Sequence, residues 1–255
     1  MNTKETVGKV PEVTFWFWII KIAATTLGET GGDSVTMSMQ LGYLVGTAIF
    51  ASVLVLAVGA QIAVRRFHPF LFWFVIVATT TAGTTLADLL DRSLGIGYLG
   101  GTTILFALLI ATLVWWHKSL GSVALDAIRS HKAEVFYWVT IMFSQTLGTA
   151  LGDWMADSKS GLGLGYQCGA LVFAAGLALV VAAYYWTKIS HTILFWAAFV
   201  LTRPLGAMVG DFLDKPHASG GLALSRYTAS AVLAVFIVLC IVFLPKTNRA
   251  ERSSA

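Results

Sequence analysis

Apolar residues fill eight long runs of the chain, and short polar stretches separate them. Each run is about as long as the ~20 residues that a helix needs to cross the ~30 Å hydrocarbon core of a membrane. Of the 255 residues, 57% are hydrophobic and only 12% are charged, which is outside the range of soluble domains. The pattern predicts an all-α integral membrane protein, one membrane domain over residues 1–255, with eight transmembrane helices at 13–28, 41–64, 70–90, 99–116, 135–154, 164–186, 192–213 and 222–244.

Lys and Arg are distributed unevenly between these runs, and this predicts the orientation. Eleven of the seventeen fall at the termini and in every second connection, four fall in the other connections, and Lys21 and Arg203 lie inside runs. Because positive charges are retained on the cytoplasmic side, we expect a multi-pass membrane protein with both termini in the cytoplasm and a cytoplasmic tail at 246–255. The net charge of +4 follows from this topology, so nucleic acid is not an expected partner.

A small residue followed by an acid recurs four times, at steps of 58 to 65 residues. An aromatic pair precedes each acid, and a second acid and a tyrosine follow it. Since two spans per copy return the chain to its starting side, we expect four tandem hairpins in parallel orientation. The pattern does not distinguish four-fold from two-fold packing. The copies are approximately 10–66, 67–130, 131–190 and 191–245, and their small-acidic pairs are Gly28-Glu29, Ala87-Asp88, Gly152-Asp153 and Gly210-Asp211.

The aromatic pairs open the odd-numbered spans. Trp and Tyr are enriched where a membrane meets water, so we expect these pairs to lie at the cytoplasmic interface of the membrane. They are Phe15-Trp16, Phe72-Trp73, Tyr137-Trp138 and Phe195-Trp196.

Each odd-numbered span carries one polar stripe, because residues four apart share a helix face. Polar groups are costly in hydrocarbon, so the stripes should converge inside the bundle. Small residues one position before the stripe predict close packing of these helices. The stripes are Lys21, Thr25, Glu29 and Asp33; Thr80, Thr84 and Asp88; Gln145, Thr149, Asp153 and Asp157; and Arg203, Ala207 and Asp211.

Carboxylates on converging stripes point to a cation or proton site. With Lys21 and Arg203 as the opposing charges in the membrane, four ionised acids leave a net charge of minus two, which suits a divalent cation with hard oxygen ligands. Lys21 and Arg203 would balance the charge or gate the site. We expect the metal ligands to be Glu29, Asp88, Asp153 and Asp211, with Asp33 beside them and with neutral oxygens from Thr25, Thr84, Thr149 and Gln145.

The first copy carries the residues that suggest a family. The stretch VPEVTFWFWIIKIAATTLGETGGD, residues 10–33, resembles a bacterial membrane-protein family defined by a fourfold repeat of unknown function. More loosely, Glu29 to Asp33 is similar to the Glu-x-Gly-Asp signature of manganese and calcium exporters, whose acids bind the cation. That likeness implies cation handling by Glu29 and Asp33. This chain has an extra glycine, lacks the basic residue after the Asp, and has four parallel units where the exporters have two inverted ones.

The predicted function is transport of a small cation across the bacterial inner membrane, the location that the family resemblance implies, with export of a manganese-like divalent metal as the specific hypothesis. The metal would be the substrate, and no tightly bound cofactor is expected. A proton-coupled organic-cation transporter is an alternative, because aromatic residues, 13% of the chain, could form cation–π contacts. A non-transporting scaffold or sensor is another. No nucleophile–base pair favours an enzyme. The expected partners are the lipid bilayer, the cation and a possible second copy of the chain.

Overall fold

Long helices make up most of the structure, a computed structural model that describes residues 9–64, 66–128 and 130–244. The predicted cytoplasmic tail, 246–255, lies outside the described residues. Within them, eight long helices follow one another and no strand occurs. They are α1 (Phe15–Asp33), α2 (Gly42–Ala63), α3 (Pro69–Asp88), α4 (Tyr98–Leu120), α5 (His131–Ala156), α6 (Gly165–Trp186), α7 (His191–Asp214) and α8 (Arg226–Phe243).

Local sequence signals set where several helices begin. The Thr14 hydroxyl accepts a hydrogen bond from the Phe17 amide at 3.3 Å and so caps α1, and Ser130 caps α5 in the same way. Pro69 occupies the first turn of α3. Proline is tolerated there because an amide hydrogen at this position would have no acceptor within the helix. Gly97, immediately before α4, has a φ of 75°, a left-handed conformation that favours glycine.

The ends of α1 and α3 differ from those of α5 and α7. α1 and α3 continue into π-helical turns at Ser34–Ser38 and Leu89–Ser93, whereas α5 and α7 stop at Ala156 and Asp214. Single π turns are frequent at functional sites. Here the first turn follows Asp33 of α1, and the second follows Asp88 of α3 and contains Asp91.

The four odd-numbered helices form a closed inner ring. α1 packs on α3, α3 on α5, α5 on α7, and α7 returns to α1. The even-numbered helices pack outside this ring, each mainly on the first helix of the next copy: α2 on α3, α4 on α5, α6 on α7 and α8 on α1. The four inner helices therefore pack on one another in cyclic order.

The small residues predicted to pack closely lie at the contacts of this ring. A Cβ built on Gly83 of α3 would stand 3.0 Å from the backbone carbon of Gln145 in α5. The same construction places Gly28 against Thr80, Gly148 against Arg203, and Gly206 against Thr25. The packing prediction is confirmed, because each glycine permits a close approach to the next inner helix.

Six of the eight helices are long and apolar enough to cross a membrane: α2, α3 with its π-helical turn, α4, α6, α7 and α8. The outer helices expose large apolar side chains, such as Leu56 of α2 at 75% and Leu179 of α6 at 71%. This surface indicates a membrane protein. The other two helices, α1 and α5, carry buried polar residues, among them Lys21 and Glu29 in α1 and Gln145 and Asp153 in α5.

The aromatic pairs of α3, α5 and α7 face the inside of the bundle and not its surface. Phe72 is fully buried and Tyr137 is 1% exposed, because the inner helices face one another there. Only the first pair, Phe15-Trp16, is exposed. The buried rings close the end of the inner ring where these helices begin, with ring centres 5.4 Å apart in Phe17–Trp73, 5.9 Å in Phe72–Trp138, 6.2 Å in Tyr137–Trp196 and 6.4 Å in Phe17–Phe195.

Candidate functional site

Arg203 connects the polar stripes of all four inner helices. Its guanidinium lies in α7 and is fully buried. Its Nη2 donates to the Glu29 carboxylate of α1 at 3.0 Å, to the Thr84 hydroxyl of α3 at 2.6 Å and to the Thr149 hydroxyl of α5. The stripes therefore converge inside the ring, as the sequence predicted.

Lys215 directly follows α7. It binds one group of acids at the end of the ring where the inner helices end. Its ammonium contacts the carboxylates of Asp33, Asp211 at 2.9 Å and Asp214 at 4.0 Å. Burial lowers the pKa of Lys215, but the three carboxylates outweigh that effect and raise the pKa well above its usual value. Lys215 therefore stays protonated and acts as a cation tethered to the chain.

Three carboxylates at this end of the ring could share one metal ion. Glu29, Asp33 and Asp211 each offer an oxygen, and these oxygens lie within 4.8 Å of one another. All three side chains are buried. Arg226, from the start of α8, approaches from the side and bonds the neighbouring Asp214 at 2.8 Å.

A second group of acids lies across the ring, around Arg92. The Arg92 Nε is 3.0 Å from Asp88, and its Nη2 is 3.0 Å from Asp153. The same guanidinium donates to the Tyr43 hydroxyl at 3.1 Å. Arg92 thus joins the acids of copies two and three, just as Lys215 joins acids of copies four and one.

The structure corrects two expectations about the acids. The predicted quartet of metal ligands does not form within the described residues, since Glu29 and Asp211 group with Asp33 while Asp88 and Asp153 share Arg92. The charge balance based on Lys21 and Arg203 alone is also wrong. Three cations that the sequence places in the connections after the inner helices pair with acids of these helices instead. They can do so because they lie within one turn of a helix end; they are Arg92, Lys215 and Arg226.

The sequence does contain a signal for two of these cations. Four residues after the inner acid, copies two and four have Arg92 and Lys215, whereas copies one and three have Asp33 and Asp157. This step keeps a side chain on the same helix face, so a base there can pair with the acid one turn earlier. Acid and base alternate at this position around the four inner helices. The charges therefore repeat with two-fold symmetry.

The other predicted site residues have separate surroundings. The Thr25 hydroxyl donates to the backbone carbonyls of Ile22 at 2.8 Å and Thr202 at 3.3 Å, so it joins α1 to α7. The Gln145 amide is fully buried without a hydrogen-bond partner in the described part of the chain. Lys21 is fully buried as well, with its ammonium 4.1 Å from the centre of the Phe199 ring.

Comparison with known families identifies the repeat. The family described as Repeat of Unknown Function (DUF347) matches the chain four times, at residues 16–67, 71–121, 136–190 and 194–250. The chain belongs to this family. Each DUF347 match contains one inner and one outer helix, so the sequence repeat and the structural repeat coincide. No curated protein and no solved structure matches the chain, and the description of DUF347 names no activity.

Proposed function

We propose that this DUF347 protein transports a small cation across the bacterial inner membrane, with a manganese-like divalent metal as the best candidate and export as its direction. The observation that carries the proposal is the group of buried carboxylates from Glu29, Asp33 and Asp211, whose oxygens lie within 4.8 Å of one another. Carboxylate oxygens at such spacing suit a hard divalent cation. All eight helices would span the membrane, with both termini in the cytoplasm.

The electrostatics of the outer end support this proposal. Eight carboxylates lie at or just beyond the outer ends of the inner helices, and four cations bond to them, so full ionisation leaves an excess of four negative charges. The negative ends of four helix dipoles add roughly half a charge each. The acids are Glu29, Asp33, Asp88, Asp91, Asp153, Asp157, Asp211 and Asp214, and the cations are Arg92, Arg203, Lys215 and Arg226.

Lys215 gives the proposed site a means of exchange. Its ammonium bonds Asp33 and Asp211, two of the three carboxylates that could hold a metal. An incoming cation would displace the ammonium, and the ammonium would return when the cation leaves. At the other end of the ring, the buried aromatic side chains separate the site from the cytoplasmic side.

Transport into phospholipid vesicles tests the proposal. Purified protein is reconstituted around a metal-sensitive dye and challenged with Mn²⁺, Mg²⁺, Ca²⁺, Zn²⁺ and organic amines. We expect Asp211→Asn and Glu29→Gln to reduce the Mn²⁺ rate at least about tenfold, which corresponds to ~1.4 kcal/mol. Asp157→Asn is the matched control, because that carboxylate accepts hydrogen bonds from the backbone of Lys159 and Ser160. Wild-type Mn²⁺ transport by Asp211→Asn would refute the proposed site.

A non-transporting scaffold is a second candidate, favoured by one observation. Arg203, Arg92 and Lys215 together pair with all four inner acids, a pattern that also locks helices together. In a scaffold, neutralising an acid lowers the unfolding midpoint, but no cation in the panel crosses the membrane or changes that midpoint. Parallel melting curves on the vesicle-assay variants therefore separate the two functions.

The proposed orientation has its own test. With Cys168 and Cys240 replaced by alanine, single cysteines are introduced by Ser160→Cys and Ser190→Cys at exposed positions. An impermeant maleimide added to intact cells should label the first variant but not the second. The reverse pattern would show that the termini face outward.

A further inference from the structure

Lys21 is a buried lysine without a carboxylate partner in the described part of the chain. Its side chain is fully buried, and its ammonium has no hydrogen-bond partner among the described residues. The Lys21 nitrogen lies over the face of the Phe199 ring, 4.1 Å from the ring centre. The attraction of a ring face does not replace the hydration that an ammonium loses on burial.

Two further side chains at the same level of the ring have unused hydrogen-bonding atoms. Lys21, Thr80, Gln145 and Arg203 each lie eight residues before the inner acid of their copy, and all are fully buried; we call this set the basic layer. Arg203 uses its Nη2, but its Nε and Nη1 have no acceptor, and neither atom of the Gln145 amide has a partner. Three inner helices thus supply unpaired donors to one layer.

The charges of the basic layer do not cancel when Lys21 is protonated. In that state Lys21 and Arg203 carry two positive charges, and the only carboxylate that either one contacts in the described part of the chain is Glu29. One positive charge remains when all three groups are ionised. Buried water could satisfy neutral donors, but it cannot supply the missing negative charge.

The basic layer is closed on both sides. One helical turn toward the aromatic end lie four buried apolar side chains: Phe17, Ile76, Ile141 and Phe199. On the other side, the hydrogen bonds of Arg203 to Glu29, Thr84 and Thr149 span the ring. A ligand of this layer would therefore be enclosed and would exchange slowly.

We propose that the basic layer binds one small monovalent anion, either a halide or the carboxylate of a small organic acid. Lys21, the free nitrogens of Arg203 and the Gln145 amide would donate to it. This site goes beyond the proposed cation transport: it lies below the acid groups and uses different atoms. A bound anion cancels the remaining charge and gives acceptors to the unpaired donors of three helices.

Counting the bound anion tests the inference directly. The full-length protein is purified in chloride, exchanged quickly into sodium isethionate and then denatured, and the released chloride is measured by ion chromatography. We expect about one chloride per wild-type chain and less than a tenth of that for Lys21→Met. Lys9→Met is the matched control, because Lys9 is also a buried lysine but pairs with Glu134 at 2.8 Å. It should retain about one chloride per chain.

A second measurement separates the two sources of anion and does not depend on variants. Wild-type protein depleted by long incubation in isethionate, a sulfonate and not a carboxylate, is melted in rising concentrations of sodium chloride, bromide or acetate at constant ionic strength. A rise in the unfolding midpoint with halides assigns a halide, and a rise with acetate alone assigns a carboxylate ligand. No released chloride together with no shift for any of these anions would overturn the inference. Mn²⁺ transport, measured separately, is unaffected by that outcome.

Discussion

At the scale of single residues, Arg203 has the largest structural role in the ring. One nitrogen of its buried guanidinium contacts residues of three other inner helices, Glu29, Thr84 and Thr149. Removing one member of a buried ion pair leaves the other charge without compensation, which costs about 3–5 kcal/mol. We expect Arg203→Met to lower the free energy of unfolding by this order, measured by denaturant titration in detergent.

The reason for that loss can be checked with a second substitution. Adding Glu29→Gln to Arg203→Met removes the uncompensated carboxylate, so the double variant should recover part of the lost stability. If the double variant is no more stable than Arg203→Met, the ion pair is not the cause of the loss.

Lys215 leads to a prediction about binding at the same scale. Its ammonium occupies the carboxylates of Asp33 and Asp211, where a metal would bind. Lys215→Met removes this tethered competitor. The Kd for Mn²⁺, measured by isothermal titration calorimetry, should therefore fall at least about tenfold, which corresponds to ~1.4 kcal/mol. Lys159→Met, an exposed lysine in an outer connection, should leave the affinity unchanged. Equal or weaker Mn²⁺ binding by Lys215→Met would argue that Lys215 belongs to a structural lock.

At the scale of elements, the inner helices depend on glycine where they touch. Gly28 and Gly31 lie three residues apart in α1, but only Gly28 faces a neighbour, and a Cβ there would overlap the Thr80 side chain of α3. A Cβ on Gly31 meets nothing within 4 Å. The two positions form a matched pair in one helix.

We expect Gly28→Ala to lower the free energy of unfolding and Gly31→Ala not to lower it. Overpacking at Gly28 should cost about 1–3 kcal/mol of unfolding free energy. At Gly31 the gain in helix propensity should make the change neutral or stabilising by up to about 1 kcal/mol. Thermal melts of both variants under identical conditions measure the difference, and equal effects would contradict the close approach of α1 and α3.

At the scale of the whole molecule, α8 closes the bundle by packing on α1. The Thr30 and Ser230 hydroxyl oxygens meet at 2.8 Å across this contact, between the first and last copies. In a background without Cys168 and Cys240, we expect the double variant Thr30→Cys, Ser230→Cys to form an intramolecular disulfide on oxidation. Faster migration on a non-reducing gel, absent from either single variant, measures it. Failure to cross-link would indicate that α8 packs elsewhere.

The sequence predicts much of the fold because membrane helices obey strong local rules. Long apolar runs, four repeated columns and polar residues at four-residue steps were enough to predict the helices, the tandem hairpins and the convergence of Glu29 with Arg203. These features depend on one helix or one repeat at a time. The glycine contacts were predicted for the same reason, since a small residue permits close packing whichever helix lies opposite.

Tertiary structure decided which groups pair. The sequence alone determined that acids and bases lie at given levels of the inner helices, but not that α2 packs mainly on α3, or that the aromatic side chains close one end of the ring. The folded ring also turns Arg92 and Lys215 inward, so it divides the expected quartet of acids into two groups. The physical reason is that pairing depends on distances between helices far apart in the chain, which residue spacing within one helix does not specify.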